Sequence, residues 1–318
     1  MRYLLVLLLF VWSAAINTAA CSPVNAAMIV NANTGEIIYS YNADKKTQPA
    51  SLTKMMTLML TFKALKQKRI RPESVITISA NAASQKPCVL GLKTGQKITV
   101  RNAILALITK SANDIAVALA EHIGKSEKRF VYMMNQEARR LGMTSTKFVN
   151  PSGWKNPRQL TTVRDMAKLS RALIREYPAY YHLFATKQFS YNKKIMRNHN
   201  MLLGRRGSYL VDGIKTGFVT ASGYNLAASA TNGETRLIAI VLGGKTRQQR
   251  DKQVDALLKR GFSKIISRKL MGRSHKRRNA IRNYVPIVTA RASTGGIYNK
   301  LQQEGALHEG TSAAHDVR

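Results

Sequence analysis

The chain has 318 residues, enough for one large domain or two smaller ones. It carries 51 Lys and Arg against 16 Asp and Glu, which gives a formal net charge of +35. Such a balance is typical of soluble nucleic-acid-binding proteins, but the export signal at the start of the chain argues against that class. An exported basic protein instead meets anionic wall polymers or a negatively charged membrane face.

Residues 1–20 have the pattern of a secretory signal peptide. A positive start is followed by an apolar run over 4–12 and by small residues that end at Ala20. The apolar run is short for a membrane-spanning helix, so cleavage after Ala20 is predicted rather than retention as an anchor. Cleavage would leave Cys21 at the new N-terminus, where lipidation, pairing with Cys88 and a free thiol all remain open. Two cysteines are too few for a disulfide scaffold or a zinc site.

The first predicted elements are a hairpin and a buried helix. Residues 26–31 and 36–41 are predicted strands on either side of the turn residues Asn33-Thr34-Gly35. The polar loop from Asn42 to Pro49 then leads into a helix over roughly 50–66. This helix has little polar surface, which predicts that most of it is buried.

The middle of the chain is predicted to be mainly helical. Two short strand candidates come first, and a helical period then breaks at a polar tetrapeptide before it resumes. The strands are expected at 75–78 and 98–100, and the helices at 101–110, 115–124, 126–141 and 162–176. The tetrapeptide Ser111-Ala112-Asn113-Asp114 and the stretch Asn150-Pro151-Ser152-Gly153 are predicted loops.

The last part of the folded chain is predicted to return to strands. Four runs separated by turn residues are interpreted as neighbouring antiparallel strands, at 209–211, 213–217, 224–228 and 235–242. A helix over about 248–260 would close the globular part at Gly261-Phe262. With strands at both ends and helices between them, the sequence predicts an α+β (mixed α/β) fold in which one antiparallel sheet has a helical insertion.

Residues 263–318 differ in character from the rest. Basic residues crowd a region with few apolar anchors, and the end is rich in Gly, Ser and Ala. We expect a largely disordered tail, with a short basic amphipathic helix as the alternative. This division leaves residues 21–262 as the folded domain and predicts contact of the tail with an anionic membrane or wall polymer.

Ser51 and Lys54 form the first candidate catalytic pair. Residues three apart on a helix share a face, so the hydroxyl and the amine are expected to meet. Serine becomes a good nucleophile when a base takes its proton, and a lysine whose pKa is lowered by burial or nearby positive charge can serve as that base. A single S-x-x-K pattern is weak evidence, and its value depends on partners elsewhere in the chain.

Two further polar clusters supply such partners. Ser51/Lys54, Ser111/Asn113 and Lys215/Thr216/Gly217 occur in the order of the S-x-x-K, S-x-N and K-T-G boxes of serine penicillin-binding proteins and β-lactamases. With the flanking stretches Leu141-Gly142-Met143, Ala221 to Leu226 and Gly243-Gly244-Lys245, residues 24–262 resemble the low-molecular-mass D-alanyl-D-alanine carboxypeptidases. The resemblance implies a β-lactamase/transpeptidase-like fold and an enzyme of the bacterial periplasm or cell-envelope exterior.

The resemblance also implies the catalytic roles. Ser51 would attack the carbonyl between the two terminal D-alanines of a peptidoglycan pentapeptide, and Lys54 would take its proton. Ser111 would relay a proton toward the leaving amine, while Asn113 would position the substrate and the lysine. The same chemistry implies acylation by β-lactams and requires no cofactor or metal.

The third box and its surroundings would bind the substrate. Lys215 and Thr216 would hold the terminal carboxylate, and Gly217 would let the strand approach the substrate closely. The resemblance places an oxyanion hole at the backbone N–H groups of Ser51 and Phe218. Many members of the family have histidine where this chain has Phe218. Arg250 is at a position where the family places an arginine near the carboxylate, although a structural role remains an alternative.

Several other interpretations compete with this one. Lys93-Thr94-Gly95 also reads K-T-G, but it precedes the S-x-N box and is predicted to be a hairpin turn. The sequence has no G-x-S-x-G or H-E-x-x-H pattern, and it lacks the glutamate motif of class A β-lactamases. A DD-endopeptidase that cleaves D-Ala cross-links would use the same residues, and an inactive wall-binding relative is a third possibility.

Overall fold

The computed structural model describes residues 24–205 and 207–284. The predicted signal peptide, Cys21 and residues 285–318 of the predicted tail lie outside the described residues. The chain divides into two compact units, Met1–Ile266 and Ser267–Arg318. The first unit contains all the strands of the described chain.

The centre of the first unit is a five-stranded antiparallel sheet with the order β2-β1-β9-β8-β7. Its strands are β1 (Ala26–Asn31), β2 (Ile37–Tyr41), β7 (Leu210–Val219), β8 (Gly223–Thr231) and β9 (Arg236–Gly244). The prediction that both ends of the chain complete one sheet is therefore confirmed. The stretches 209–211 and 213–217 were expected to be separate strands, and this expectation is wrong. They form the single strand β7, because the ladder with β8 absorbs Asp212 as a shift in register between Val211 and Gly213.

The sheet is covered on both faces, which explains why β9 is almost continuously apolar and buried. Alternate residues such as Ile238 and Ile240 belong to the large core beneath the helical insertion. Leu237, Ala239 and Val241 pack instead with Val254, Leu258 and Phe262 of the last helix. The period-two alternation of the strand thus connects two cores.

The insertion between β2 and β7 supplies most of the helices. It contains a 3-10 turn at Ala50–Thr53 and two small two-stranded antiparallel sheets, β3–β4 and β5–β6. The helices are α1 (Lys54–Lys66), α2 (Ala80–Ala83), α3 (Val100–Thr109), α4 (Asn113–Gly124), α5 (Glu127–Arg140), α6 (Val163–Glu176) and α7 (Pro178–Tyr181), with a second 3-10 turn at His182–Ala185. The strands of these two small sheets are β3 (Val75–Thr77), β4 (Lys97–Thr99), β5 (Gln188–Tyr191) and β6 (Lys194–Arg197). The predicted burial of α1 is confirmed, since only its two lysines near the C-terminal end, Lys63 and Lys66, are not buried.

The last helix, α8, extends over Arg247–Tyr284 and corrects two predictions. It does not end at Gly261, and residues 263–284 are helical rather than disordered. A Cβ at Gly261 would lie 2.5 Å from Ile29 Cδ1 and 2.9 Å from Leu237 Cδ1. Glycine at this position therefore allows the helix to pack closely against the sheet. Lys and Arg, which dominate the following turns, are good helix formers. None of the helices described is long and apolar enough to cross a membrane.

Candidate active site

Ser51 and Lys54 lie where the 3-10 turn becomes helix α1. Ser51 is in the turn at Ala50–Thr53, and Lys54 is the first residue of α1. Lys54 Nζ is 2.9 Å from Ser51 Oγ. Ala50, directly before the serine, has a φ of +50°, which is uncommon for a residue with a Cβ. The side chains of Ser51 and Lys54 are therefore in hydrogen-bond contact at a tightly turned segment.

Lys54 is fully buried and makes three hydrogen bonds. Besides Ser51 Oγ, its Nζ lies 2.7 Å from Asn113 Oδ1 and 2.6 Å from the carbonyl oxygen of Ser152. Burial lowers the pKa of Lys54 well below its usual value, and the positive charge of Lys215 lowers it further. A neutral amine has two N–H donors and one lone pair. It can donate to the two oxygens that only accept, and it can accept the hydrogen of Ser51.

Ser111 and Asn113 lie at the break between helices α3 and α4. Ser111 has a φ of +60°, and its buried Oγ has no hydrogen-bond partner among the residues that the structure describes. Asn113 donates from Nδ2 to Pro87 O at 2.6 Å and from its backbone N–H to Cys88 O at 2.7 Å. The break thus positions Asn113 against Lys54 and leaves the Ser111 hydroxyl available to a ligand.

The loop around Ser152 is also part of the site, although no residue type in it indicates catalytic chemistry. Only its backbone carbonyl contacts Lys54, and any residue has such a carbonyl. The detectable signal is Gly153, whose φ is +84°. A Cβ there would lie 1.9 Å from Ala50 O and 2.8 Å from Thr53 Oγ1, so no larger residue allows the loop to pack so closely against the turn of Ser51.

Strand β7 brings Lys215, Thr216 and Gly217 to the opposite side of Ser51. This strand is at the edge of the sheet and contacts the 3-10 turn. A Cβ on Gly217 would lie 3.0 Å from Pro49 O and 3.1 Å from Ser51 N. The glycine therefore lets the edge strand lie directly against the segment that carries Ser51, while its predicted role in letting the strand approach a substrate stays a prediction. Phe218 follows with a half-exposed ring that packs on Tyr224 at a centroid distance of 4.4 Å.

The floor of the site is strongly cationic. Lys215 and Arg250 are each 2% exposed. Burial lowers the pKa of Lys215 to about 7, and Arg250 contributes to the same shift. Arg250 lies on α8, donates to Asn225 O at 3.4 Å and pairs with Asp251 at 2.7 Å. His199 was not selected from the sequence, and its pKa is lowered to about 4 by burial and by the charges of Lys215, Arg247, Lys110 and Arg250.

A cavity of about 700 Å³ opens onto these groups. Ser51, Ser111, Thr216, Gly217, Phe218 and Arg250 all line it, together with residues such as Trp154, His199 and Arg247. Lys54, Asn113 and Lys215 lie behind this lining, where they contact the groups at the surface. The structure thus brings together every residue that the three sequence boxes nominated. Across the described part of the chain, no three His, Cys, Asp or Glu side chains are arranged to hold a metal ion.

Comparison with known proteins identifies the family. D-alanyl-D-alanine carboxypeptidases match residues 15–246 of the chain. Escherichia coli D-alanyl-D-alanine carboxypeptidase DacC is 39% identical over 243 residues, which are 74% of this chain and 60% of the relative. The chain therefore spans about 60% of the length of this curated relative.

Solved structures agree with this result. Penicillin binding protein 5 from Haemophilus influenzae superimposes with a TM-score of 0.73 at 36% identity and covers 76% of this chain and 71% of its own. A Listeria monocytogenes penicillin-binding protein, solved in its ampicillin-bound form, gives a TM-score of 0.65 at 31% identity over 75% of this chain and 97% of its own. The chain belongs to the D-alanyl-D-alanine carboxypeptidase family.

Proposed function

We propose that the protein is an exported serine DD-carboxypeptidase that removes the terminal D-Ala from peptidoglycan pentapeptides through an acyl-enzyme. The observation that carries the proposal is the fully buried Lys54 amine, bound to Ser51 Oγ, Asn113 Oδ1 and Ser152 O beside an open cavity. Two of these acceptors have no proton to give, so the serine hydroxyl is the only proton source for a neutral Lys54.

Ser51 is the nucleophile in this mechanism. As Lys54 takes its proton, Ser51 Oγ forms an ester bond with the carbonyl carbon of the penultimate D-Ala, and the amide C–N bond breaks. The proton ends on the departing amine of the terminal D-Ala, and water then cleaves the ester. A positioned base of this kind typically accelerates a reaction on the order of 100-fold to 10,000-fold.

Ser111 and Asn113 assist this transfer. The Ser111 hydroxyl is buried at the cavity wall and has no partner in the described chain, so it is available to pass a proton to the leaving amine. Asn113 has both ends of its amide engaged, one with Lys54 Nζ and one with Pro87 O. It holds the lysine in one position and so fixes the direction of proton transfer.

Lys215, Thr216 and Arg250 form the carboxylate site. A fully buried carboxylate needs charged donors to replace its water, and these residues provide an ammonium group, a hydroxyl and a guanidinium group. The positive charge of Lys215 has a second effect, because it lowers the pKa of Lys54. One residue thus contributes to substrate selection and to activation of the base.

The edge position of β7 suits an extended peptide. An unpaired strand edge offers N–H and C=O groups that a substrate can pair with in the manner of an added strand. Gly217 brings that edge to Ser51, which supports an oxyanion hole made by the N–H groups of Ser51 and Phe218. Loss of one such donor commonly costs on the order of 100-fold in rate.

The same geometry supports covalent reaction with β-lactams, whose amide carbonyl would occupy the site of the peptide carbonyl. The Listeria monocytogenes relative was solved with ampicillin bound. The signal-peptide pattern of residues 1–20 supports export to the periplasm or the cell-envelope exterior.

The basic tail is the proposed contact with anionic wall polymers or membrane. Residues 263–284 contain eight Lys and Arg and no Asp or Glu. Each cation near an anionic membrane surface contributes about 1 kcal/mol of attraction. A protein truncated after Ile266 should therefore sediment less with anionic vesicles than the full chain, and equal sedimentation would remove this role.

The test of the function is release of D-Ala from a soluble peptide that ends in D-Ala-D-Ala. The wild-type protein should release D-Ala in excess of its own amount and should bind a fluorescent penicillin covalently. Ser51→Ala should do neither. Retained D-Ala release in this variant, or none in the wild type, would overturn the proposal.

A further inference from the structure

A cysteine thiol lies at the wall of the active-site cavity and has no part in the mechanism proposed above. Cys88 is a free, exposed cysteine in the described part of the chain, and it lines the cavity of about 700 Å³ together with Ser51 and Ser111. The only other cysteine of the sequence, Cys21, lies outside the described residues. Thiolates are strong nucleophiles, so Cys88 is a second reactive group in the space that holds the proposed catalytic serine.

The backbone of Cys88 is held beside the corner that carries Ser111. Asn113 donates from its backbone N–H to Cys88 O at 2.7 Å and from Nδ2 to Pro87 O at 2.6 Å. The same asparagine contacts Lys54 Nζ through Oδ1 at 2.7 Å. One residue thus fixes both the proposed base and the segment that carries the thiol.

Electrostatics show that the thiol is close to both lysines of the site. Burial lowers the pKa of Lys54 and of Lys215, and a negative charge on Cys88 acts against this shift at both lysines. Coulombic effects weaken with distance, so the sulfur lies within electrostatic reach of both amines. An anionic reagent that is attracted by these two cations is thereby brought to the thiol.

A second observation indicates that this part of the cavity receives a polar ligand. Ser111 is 4% exposed and lines the cavity, and its Oγ has no hydrogen-bond partner among the described residues. An unpaired buried hydroxyl costs free energy that a ligand recovers by pairing with it. The described residues that line the cavity also include Lys155, Arg247 and Arg250 and no Asp or Glu. The space beside Cys88 therefore favours ligands with anionic oxygen atoms.

We propose that Cys88 is a site of reversible modification by low-molecular-mass disulfides that carry a carboxylate, and that the attached group closes the active-site cavity. The carboxylate would lie among the cations of the cavity while the disulfide sulfur reaches the thiol. The modification site stands on the geometry of the cavity, and its effect on D-Ala release rests on the proposed function.

The modification is a thiol–disulfide exchange. The Cys88 thiolate attacks one sulfur of the reagent, a new S–S bond forms, and the S–S bond of the reagent breaks. The other half of the reagent leaves as a thiolate and takes up the proton that Cys88 has lost. One protein thiol is thus oxidised, and half of the reagent is reduced to a thiol. An added small thiol reverses the step by the same exchange. Oxidising exported compartments allow such disulfides to persist.

The attached group would compete with the substrate for space. It would extend from Cys88 into the cavity that Ser51 lines, and its carboxylate would meet Lys215 and Arg250, the cations proposed to bind the terminal carboxylate of the substrate. Acylation of Ser51 should therefore stop. The protein should stay folded, because Cys88 is exposed and the adduct displaces no buried side chain.

The first experiment measures penicillin acylation of the full-length protein before and after treatment with 3,3′-dithiodipropionate, a disulfide with two carboxylates. In the wild type, one half of the reagent should add to Cys88, as detected by peptide mass spectrometry. The acylation rate should fall roughly tenfold or more, because the adduct prevents substrate positioning, and dithiothreitol should restore it. Cys21→Ser removes the only other thiol and should respond as the wild type does. Cys88→Ser should be acylated at the same rate with and without the reagent.

The second experiment tests the predicted preference for a carboxylate. It compares the rate of addition at Cys88 for dithiodipropionate, the neutral 2-hydroxyethyl disulfide and the cationic cystamine. Because these reagents differ in intrinsic reactivity, each rate is divided by the rate at a control thiol outside the cavity. Lys93→Cys in the Cys88→Ser protein supplies this thiol, since Lys93 is exposed and does not line the cavity.

The normalised rate should be highest for the anionic reagent and lowest for the cationic one. A cleft lined by charges of one sign raises encounter rates with the opposite sign by about tenfold or more, so roughly tenfold is expected between these two reagents at low salt. Added salt should reduce this difference. Prior acylation by penicillin should slow addition at Cys88 and leave the control thiol as reactive as before.

The outcomes separate this proposal from the one above. The proposal is overturned if Cys21→Ser is insensitive to the reagent, if Cys88→Ser remains sensitive, or if an adduct at Cys88 leaves acylation intact. Absence of an adduct at Cys88 in the folded wild type, or equal normalised rates for the three reagents, also overturns it. An untreated protein that neither releases D-Ala nor reacts with penicillin overturns the proposed function alone, and the order of normalised rates at Cys88 still decides whether the modification site exists.

Discussion

The tripeptide Lys-Thr-Gly occurs twice in this chain, and its two copies have opposite surroundings. Lys93 is exposed in a turn directly before β4, and a Cβ on Gly95 would meet nothing within 4 Å. Lys215 is 2% exposed on an edge strand, and a Cβ on Gly217 would lie 3.1 Å from the backbone nitrogen of Ser51. The two glycines also differ in backbone, since Gly95 has a φ of +83° and Gly217 has no positive φ.

The comparison shows that the surroundings of the tripeptide, rather than its residue types, determine whether its lysine lies in the candidate site. In the turn before β4, Gly95 adopts the positive φ that closes the turn. On β7, Gly217 allows the strand to pack closely against the segment that carries Ser51. The charge of the nearby, buried Lys215 lowers the pKa of Lys54. The two copies can therefore be separated experimentally, since changes at one should alter reactivity and changes at the other should alter only stability.

The largest difference between the two copies is expected for the lysines. Lys215→Ala removes the proposed charge-assisted contact with the substrate carboxylate and a charge that lowers the pKa of Lys54. Charged hydrogen bonds contribute about 1.5–3 kcal/mol, so kcat/KM for D-Ala release should fall roughly 10-fold to 100-fold. Lys93→Ala should leave the rate unchanged. Equal effects at both sites, measured on the same peptide, would remove the proposed role of Lys215.

A smaller difference is expected for the glycines. Gly217→Ala puts a methyl group 3.0–3.2 Å from Pro49 O, Ser51 N and Ala50 Cβ, so β7 or the turn must shift by a few tenths of an ångström. Misplacement of a reacting group by about 1 Å can cost on the order of 100-fold, and this smaller shift should slow penicillin acylation about tenfold.

Gly95→Ala is the matched change at the other copy. Its left-handed backbone should cost roughly 1–2 kcal/mol of unfolding free energy, while acylation stays at the wild-type rate. Thermal unfolding and acylation measured on both variants distinguish the two effects. A Gly217→Ala protein that loses stability but acylates normally would show that close approach of β7 to Ser51 is not required.

Much of this site could be predicted from the sequence, because its parts are local patterns. Spacing along the chain brings Ser51 to Lys54, and the break in apolar period marks the corner that holds Ser111 and Asn113. The order of the boxes also distinguished Lys215 from its copy Lys93. These predictions needed only the residue patterns of short segments and their resemblance to the motifs of a known family.

The remaining features depend on distant contacts that no local pattern contains. Ser152 contributes a backbone carbonyl to Lys54, 98 residues away in the chain, and the neighbours of His199 are held by hydrogen bonds to residues 12 and 13 positions away. Gly261 looks like a helix end, and only its packing against Ile29 and Leu237 shows why the helix continues through it. Tertiary packing overrides local propensity at such positions.

The smallest expected effect is a pH dependence of the reaction rate that involves Lys215 and not Lys93. In the proposed mechanism Lys54 acts in its neutral form, so kcat/KM should rise as pH rises through the lowered pKa of Lys54. In the same mechanism Lys215 acts in its charged form, and burial lowers its pKa to about 7, so kcat/KM should fall as pH rises through that value. A bound carboxylate favours the charged lysine. In the pH profiles, the decrease of kcat should therefore occur at higher pH than the decrease of kcat/KM.

Lys93→Ala is the control and should leave both pH profiles unchanged. If kcat and kcat/KM decrease at the same pH for the substrate with a terminal carboxylate, direct contact between Lys215 and that carboxylate is contradicted.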